Sequence, residues 1–469
     1  MAPNLSRRSF LKMASASAAG LAAGAGFLPG VSRAFAAPAG QDAVQISFGG
    51  WGATNESEGV QAAIVAFEEE NPGITVEWQW VPDATADVFV QTFLTNVAAG
   101  SPPDTFFVRS ADYETFRSQG LLMDITDRIA ADELLGQPDY FFPQEAERAA
   151  DADGRWHGIG STWVAPHIYY NADLFDEAGI TPPGFQDDEI WEWDEFVEIA
   201  KQLTVDVNGR HPDDSGFDPD NIERWGVDWW QFWVIQYAMV FANSGTVINE
   251  DGLLAIDSPE ALEAYQRTID LTYLHHVAPR RAAVQSSLGM TSEQMLNSGR
   301  IAMLVSGSWQ LNWTNPTTMD QITMGTGALP KMAQPATYMQ AHFHSGLATT
   351  PRPEESWQWL RFLATPFYTL QFMKTGLWLP SQTSQVTEVG LAEWLTEGIH
   401  PTNYVDFVRD YLPQYGHTFR VPAGYTEGEL NFLNPAFEAM ANGTPAEEVL
   451  PEAVRQTNEV IAAAAEAQA

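Results

Sequence analysis

Residues 44–81 read VQISFGGWGATNESEGVQAAIVAFEEENPGITVEWQWV. The opening apolar run ends in Gly49-Gly50 and Trp51, which reads as a short strand stopping at a turn. Val60, Ile64 and Phe67 follow at i, i+4 and i+7, one face of a helix. Asn71-Pro72-Gly73 stops that helix. Ile74, Val76, Trp78 and Trp80 then alternate as in a second strand. Beyond the quoted stretch, residues 87–99 read as a helix ending at Gly100, and DTFFV (104–108) as a third strand. A β-α-β-α-β rhythm implies a mostly parallel sheet with crossover helices, an α/β fold.

The rhythm continues less regularly. Residues 153–171 read as a turn and a long extended stretch, and 193–204 as an amphipathic helix. Residues 205–224, rich in Asp, Gly and Pro, read as a long loop. Residues 261–274 are helical in pattern. GRIAMLVSGSW (299–309) is an apolar strand ending in Trp309. Residues 357–363 are helical until Pro366 interrupts, and 430–465 are helix-rich. A chain of 469 residues with 45% hydrophobic residues is long enough for two lobes with sizeable cores.

The first 36 residues read as a twin-arginine export signal: Arg7-Arg8, Phe10-Leu11, an Ala/Gly-rich apolar run, and Ala34-Phe35-Ala36 as the cleavage site. The chain contains no cysteine, which excludes disulfides, thiolate metal sites and a lipid-bearing cysteine. The expectation is a protein free in the periplasm and not lipid-anchored. The formal net charge is −38, and only Lys12, Lys201, Lys331 and Lys374 supply lysine. Such a surface stays soluble where salt screens its self-repulsion, so a halophilic or salt-tolerant source is expected. The same charge argues against nucleic-acid binding.

Several further segments, taken with these, are similar to one known family. They are FEEENPGITVEW, AAGSPPDTFFV, SQGLLMDITD, YYNADLFDEAGITPP, WDEFVEIAKQLT, SGRIAMLVSGSW and WLRFLATPFYTLQFMKTGLWLP, in order, across residues 43–460. The chain resembles the extracytoplasmic solute-binding proteins of ABC importers, in the carbohydrate-binding branch related to maltose-binding protein. FQDDEIWE before Trp193 is longer than the family's usual link, and VNGRHPDDSGFDPDNIERWG resembles an inserted loop. The resemblance implies a two-lobed periplasmic-binding-protein fold of type II, the venus-flytrap, with hinge crossings and a ligand cleft. Lobe 1 would comprise residues 43–160 plus 332–378, and lobe 2 residues 161–331 plus 379–469. The crossings would lie near 161–169, between 330 and 342, and near 378–382.

A sugar offers C–H faces to flat aromatic rings and hydroxyls to polar side chains; tryptophan serves both. The stretch WGVDWWQFW (225–233) holds four of the 17 tryptophans. If 228–234 is helical, Trp229 and Trp233 share a face, with Trp230 three residues before Trp233. Under the resemblance the ligand-binding candidates are Trp51, Trp163, Trp229, Trp230, Trp233, Trp309 and Trp378. Glu56, Arg109 and Asp112, just beyond strand ends, join them as hydroxyl partners. His342 and His344 form an H-x-H pair that suits ligand contact or packing better than metal, since no third ligand is spaced with it. His275-His276 reads as a surface pair. The 206–221 loop lacks the spacing of a calcium loop.

Enzyme signatures are missing. There is no G-x-S-x-G and no phosphate loop, and Gly325 and Gly327 stand without the third glycine of a dinucleotide fingerprint. No catalytic residue, metal or cofactor is expected. The expected partners are a small carbohydrate ligand and an ABC permease in the inner membrane, with the protein itself a monomer. The alternatives are a non-sugar solute (polyol, glycerol phosphodiester, polyamine) and a secreted glycoside hydrolase, for which no carboxylate pair stands out among 61 acids.

Overall fold

Ile46 and Phe48 alternate with Gln45 and Ser47 along β1 (Val44–Gly52) and are fully buried. The computed structural model describes residues 43–82, 86–151, 153–160 and 162–467, so the expected signal segment lies outside them. The helix Thr54–Glu70 follows β1 and buries Val60, Ala63, Ile64 and Phe67, the face its spacing gives. It stops at Asn71, and β2 (Ile74–Pro82) returns parallel to β1. The helix Ala86–Ala99 leads to β3 (Thr105–Val108), again parallel to β1.

The remaining strands are β4 (Thr162–Trp163), β5 (Pro166–Asn171), β6 (Val205–Asp206), β7 (Ile222–Trp229), β8 (Ile301–Gly307), β9 (Met324–Gly327), β10 (Thr337–Tyr338), β11 (Phe343–Gly346), β12 (Leu379–Pro380) and β13 (Gly416–His417). One sheet runs β11-β3-β1-β2, with β11 antiparallel to β3. The other runs β6-β7-β8-β5-β9, with β7 parallel to β8 and β5 antiparallel to its neighbours. Every residue of β8 is buried, as expected for a strand covered on both faces.

The sheets own separate cores. The first gathers Phe48, Phe67, Phe106 and, from the helices Pro353–Leu363 and Pro366–Met373, Trp359 and Phe372. Pro366 does interrupt the preceding helix, and it also opens the next one at its first turn, where a missing N–H costs nothing. The second sheet packs one face on Phe196, Val227, Tyr237 and the C-terminal helix Ala446–Glu466, and the other on Leu304, Leu311, Trp394 and Phe407. The helix Trp193–Leu203 lies so close on β7 that a Cβ on Gly226 would sit 2.1 Å from the Ala200 carbonyl oxygen.

Three chain segments meet between the sheets. Thr162–Trp163 pairs with Leu379–Pro380, and Val164 bridges Gln340. Core membership changes within two residues there: Trp378 belongs to the first core and Leu379 to the second sheet's.

Two local expectations are corrected. Residues 228–234 are not one helix: β7 runs to Trp229, Trp230–Phe232 link, and a helix begins at Trp233. Pairing of Asp228 with Leu304 and Trp229 with Val305 draws the stretch into the sheet, a long-range preference that local spacing does not carry. Residues 205–224 are not wholly loop, since their ends pair as β6 and β7. The Asp206 carboxylate organises the turn between, accepting from the backbone N–H groups of Asn208 (2.7 Å), Arg210 (2.9 Å) and Asp218 (3.0 Å). No described helix is long and apolar enough to cross a membrane.

Candidate ligand-binding site

Strand ends supply one wall. Trp51 is half-buried near the C-terminal end of β1, with ring centroids 5.2 Å from Phe89, 5.3 Å from Phe107 and 5.6 Å from His342. Gly52 turns the chain at φ +132°, and a Cβ there would strike the Glu56 carboxylate. Glu56 accepts from the Ala53 N–H at 2.6 Å, and burial pushes its carboxyl up to about 7. His342 stacks on Phe107 at 4.3 Å and stands 5.0 Å from Trp378. Burial pulls His342 down to about 3, and His344, packed against His342 at 5.1 Å and Tyr368 at 5.2 Å, is also pulled down by burial. Both are therefore neutral imidazoles near neutral pH. Trp378 leans on Phe372 at 4.0 Å. The structure thus brings Trp51, Glu56, His342, His344 and Trp378 to one end of the first sheet.

A second aromatic group stands past the strand ends of the second sheet. Trp230, just past β7, is stacked by Phe232 at 4.3 Å. Trp309, just past β8, stands 6.4 Å from Trp230 and 6.2 Å from Phe232. Its ring folds back over Gly307, where a Cβ would lie 1.9 Å from the indole. Trp309 is half-buried and packs against both the first sheet's core and the second's, so it stands between them. Trp233 is half-buried beside Tyr237 (5.6 Å) and Tyr338 (6.0 Å).

Three of the tryptophan candidates lie in the cores: Trp163, Trp229 and Trp378, the last in the first sheet's core. Trp229 is buried against Trp193 and Phe196 at 5.4 and 5.7 Å. Trp163 is fully buried, with the Arg148 guanidinium 4.2 Å above its ring. Their neighbours pack differently: Val164 lies in the first core, and Trp230 stands past the end of β7.

Arg109 and Asp112 join a clasp between the two bodies. Arg109 Nε lies 2.9 Å from Asp112 Oδ2, and Arg109 Nη1 lies 3.4 Å from Glu429 Oε2. Thr426 Oγ1 donates to Asp112 Oδ1 (2.8 Å) and to the Ala111 carbonyl (2.9 Å). Beside this clasp, Ser110, Tyr113, Arg148, Gln340, Phe419 and Arg420 line a crevice of about 10 Å³, room for about one water. Sequence reasoning missed Phe232, Thr426 and Glu429. Phe232 stood inside the tryptophan-rich stretch; Thr426 and Glu429 carry no local signal, being one threonine and one of 61 acids.

Among the described residues no cluster of three or more His, Asp or Glu is arranged to hold a metal. Both Asp206 oxygens accept backbone N–H donors of the turn they organise. His342 and His344 are enclosed by Phe107, Trp51, Trp378 and Tyr368, an aromatic setting without a third ligand.

The family model described as bacterial extracellular solute-binding protein matches residues 52–368, and the chain belongs to that family. A Brucella abortus protein named as a binding protein is 26% identical over 322 residues, 67% of this chain and 70% of its own. Among solved structures, the ABC substrate-binding protein of Listeria monocytogenes in complex with cycloalternan superposes with a TM-score of 0.74 at 22% identity. The match covers 90% of this chain and all of that one. Maltose-bound MalE3 of T. maritima gives 0.69 at 21% identity, covering 88% of this chain and 99% of its own. The fold is therefore the two-lobed one of these substrate-binding proteins.

Proposed function

We propose that this member of the solute-binding family captures a carbohydrate, from a monosaccharide to an oligosaccharide or glycoside, and delivers it to an ABC permease. The observation that carries the reading is an aromatic group at the strand ends of each sheet, with Trp309 packed against both cores. Trp51 and His342 flank strands of the first sheet with Trp378 packed on His342, and Trp230 and Trp309 follow strands of the second with Phe232 stacked on Trp230, near strand ends, where open α/β sheets take their ligands. Aromatic plates cover the apolar faces of a sugar ring, while Glu56, Arg109 and Asp112 supply hydrogen-bonding groups nearby. The resemblance to proteins solved with cycloalternan and with maltose supports the same ligand class.

In this reading the lobes are residues 43–160 plus 332–378 and residues 161–331 plus 379–469. The three segments meeting at Trp163, Gln340 and Leu379 act as the hinge. Closure excludes water around the ligand and presents one shape to the permease. The protein acts in the periplasm as a monomer, reached by the twin-arginine route, and performs no chemistry. Thermal unfolding against a sugar and polyol panel in high-salt buffer, followed by calorimetry, tests this, because a ligand of the folded state alone raises the midpoint. A shift with one sugar class that is not consumed is the expected result. No shift with any sugar overturns the ligand class, and consumption of the sugar makes the protein a hydrolase.

A further inference from the structure

Behind the aromatic wall of the second lobe lies a polar layer that the ligand reading above does not use. Arg281 opens the helix Arg281–Leu288, and its guanidinium carbon lies 4.7 Å from the Trp230 ring centroid. Its Nε is 3.7 Å from Asp228 Oδ2, and its Nη2 donates to Ser292 Oγ at 2.9 Å. Ser292 Oγ accepts a second bond from Gln285 Nε2 (2.7 Å) and donates to Asp228 Oδ2 (2.5 Å). Asp228, fully buried at the end of β7, therefore anchors the assembly. Two of its polar atoms, Arg281 Nη1 and Asp228 Oδ1, have no hydrogen-bond partner among the described residues.

A charged group held in one orientation with unused hydrogen-bonding capacity is expensive in an interior, and such groups concentrate at binding sites. Arg281 retains some exposure, 25% of its side chain, whereas Asp228 retains 1%. The two charges oppose one another at close range. The pair is thus close to neutral overall, and behind the aromatic wall it holds one unused donor and one unused acceptor, both buried. A neutral donor–acceptor pair fits hydroxyl groups, which can donate and accept at once; a carboxylate or phosphate can only accept, and Asp228 repels it.

Building on the carbohydrate reading, we infer that Arg281, oriented by Asp228 and Ser292, is a specificity-determining residue that selects uncharged, hydroxyl-rich sugars over uronic acids and sugar phosphates. Trp230 fixes where its guanidinium can lie, and Asp228 sets the sign of the local charge. An Arg281 without Asp228 would instead attract an anionic sugar.

The test is calorimetry on full-length wild type, Arg281→Gln, Arg281→Lys and Asp228→Asn with maltotriose, arabinotriose, mannotriose and galactotriose as neutral probes and trigalacturonate as the anionic one. Thermal unfolding of each variant checks its fold. Wild type is expected to bind a neutral trisaccharide and to take trigalacturonate at least tenfold more weakly than galactotriose. Arg281→Gln is expected to lose at least tenfold in affinity for the neutral sugar. Arg281→Lys, which keeps the charge without the fork, stays similarly weak, so the proposal remains testable if Arg281→Gln unfolds. Asp228→Asn is expected to narrow or reverse the preference by at least tenfold. Affinities within twofold of wild type in both Arg281 variants, or wild-type preference for trigalacturonate, overturn this inference and leave the carbohydrate reading standing. If wild type binds no sugar, both fall.

Discussion

Replacing Glu145 by glutamine removes one negative charge from the most enclosed ion pair among the described residues. Arg148 Nε and Nη2 donate to Glu145 Oε2 at 2.9 and 2.8 Å, and Glu145 Oε1 accepts from the Gly160 N–H at 2.7 Å. Arg148 Nη1 donates to the Ala341 carbonyl at 2.9 Å, and its guanidinium lies between the rings of Trp163 (4.2 Å) and Phe343 (4.3 Å). The side chains are 3% and 0% exposed, so water cannot take over the lost interaction. Space is equally tight, since a Cβ on Gly160 would lie 1.5 Å from Arg148 Nη2. Stranding a buried charge costs about 3–5 kcal/mol, a large part of a native margin of about 5–15 kcal/mol. Glu145→Gln is therefore expected to lower the thermal and denaturant midpoints sharply. Glu145→Leu combined with Arg148→Met removes both desolvated charges and is expected to recover most of the loss, as replacement of buried pairs by apolar residues does. Denaturant unfolding of Glu145→Leu, Arg148→Met and their combination, read as a double-mutant cycle alongside Glu145→Gln, checks this. A single-variant cost below about 1 kcal/mol, the scale of a solvent-screened surface pair, refutes the reasoning. So does a double variant as unstable as the sum of the singles.

Four further outcomes are expected. His342 is held near 3 by burial against an ordinary value near 6.5, so the unfolded chain binds more protons between those limits and stability falls as pH drops through them. His342→Gln should flatten the slope of unfolding free energy against pH by up to about 1.4 kcal/mol per pH unit in that window, and an unchanged slope would count against the burial. Thr426→Val deletes both hydroxyl bonds of the inter-lobe clasp and should enlarge the ligand-free radius of gyration seen by X-ray scattering; an identical profile would mean the clasp does not hold the lobes together. Gly226→Ala drives a methyl into the Ala200 carbonyl and should destabilise by about 1–3 kcal/mol in denaturant titration, whereas a neutral result would show that the helix can shift away. With a formal net charge of −38, the unfolding midpoint should rise between dilute and molar salt, and salt independence would remove the argument for a halophilic source.

Local pattern carried the elements. The spacing of Val60, Ile64 and Phe67, the Asn71-Pro72-Gly73 stop and the alternation of Ile74 and Val76 were enough for strand, helix and parallel strand, because each signal lies within a few turns of chain. The acidic surface, the lack of cysteine and the family's segment order are likewise properties of the chain itself. Which tryptophan is drawn into a core was another matter. Trp229 and Trp230 are neighbours with the same side chain, yet one is core against Trp193 and the other joins Trp309, because pairing of β7 with β8 holds Trp229 in the sheet and ends before Trp230. Asp228 meets Ser292 across 64 positions and Asp112 meets Thr426 across 314. Periodicity reports only neighbours a few residues apart; contacts between distant segments are chosen by the packing of whole sheets and helices. The sequence alone therefore determined the elements, the charge and the class of protein, and only the tertiary structure decided which of its many aromatic and acidic side chains stand together.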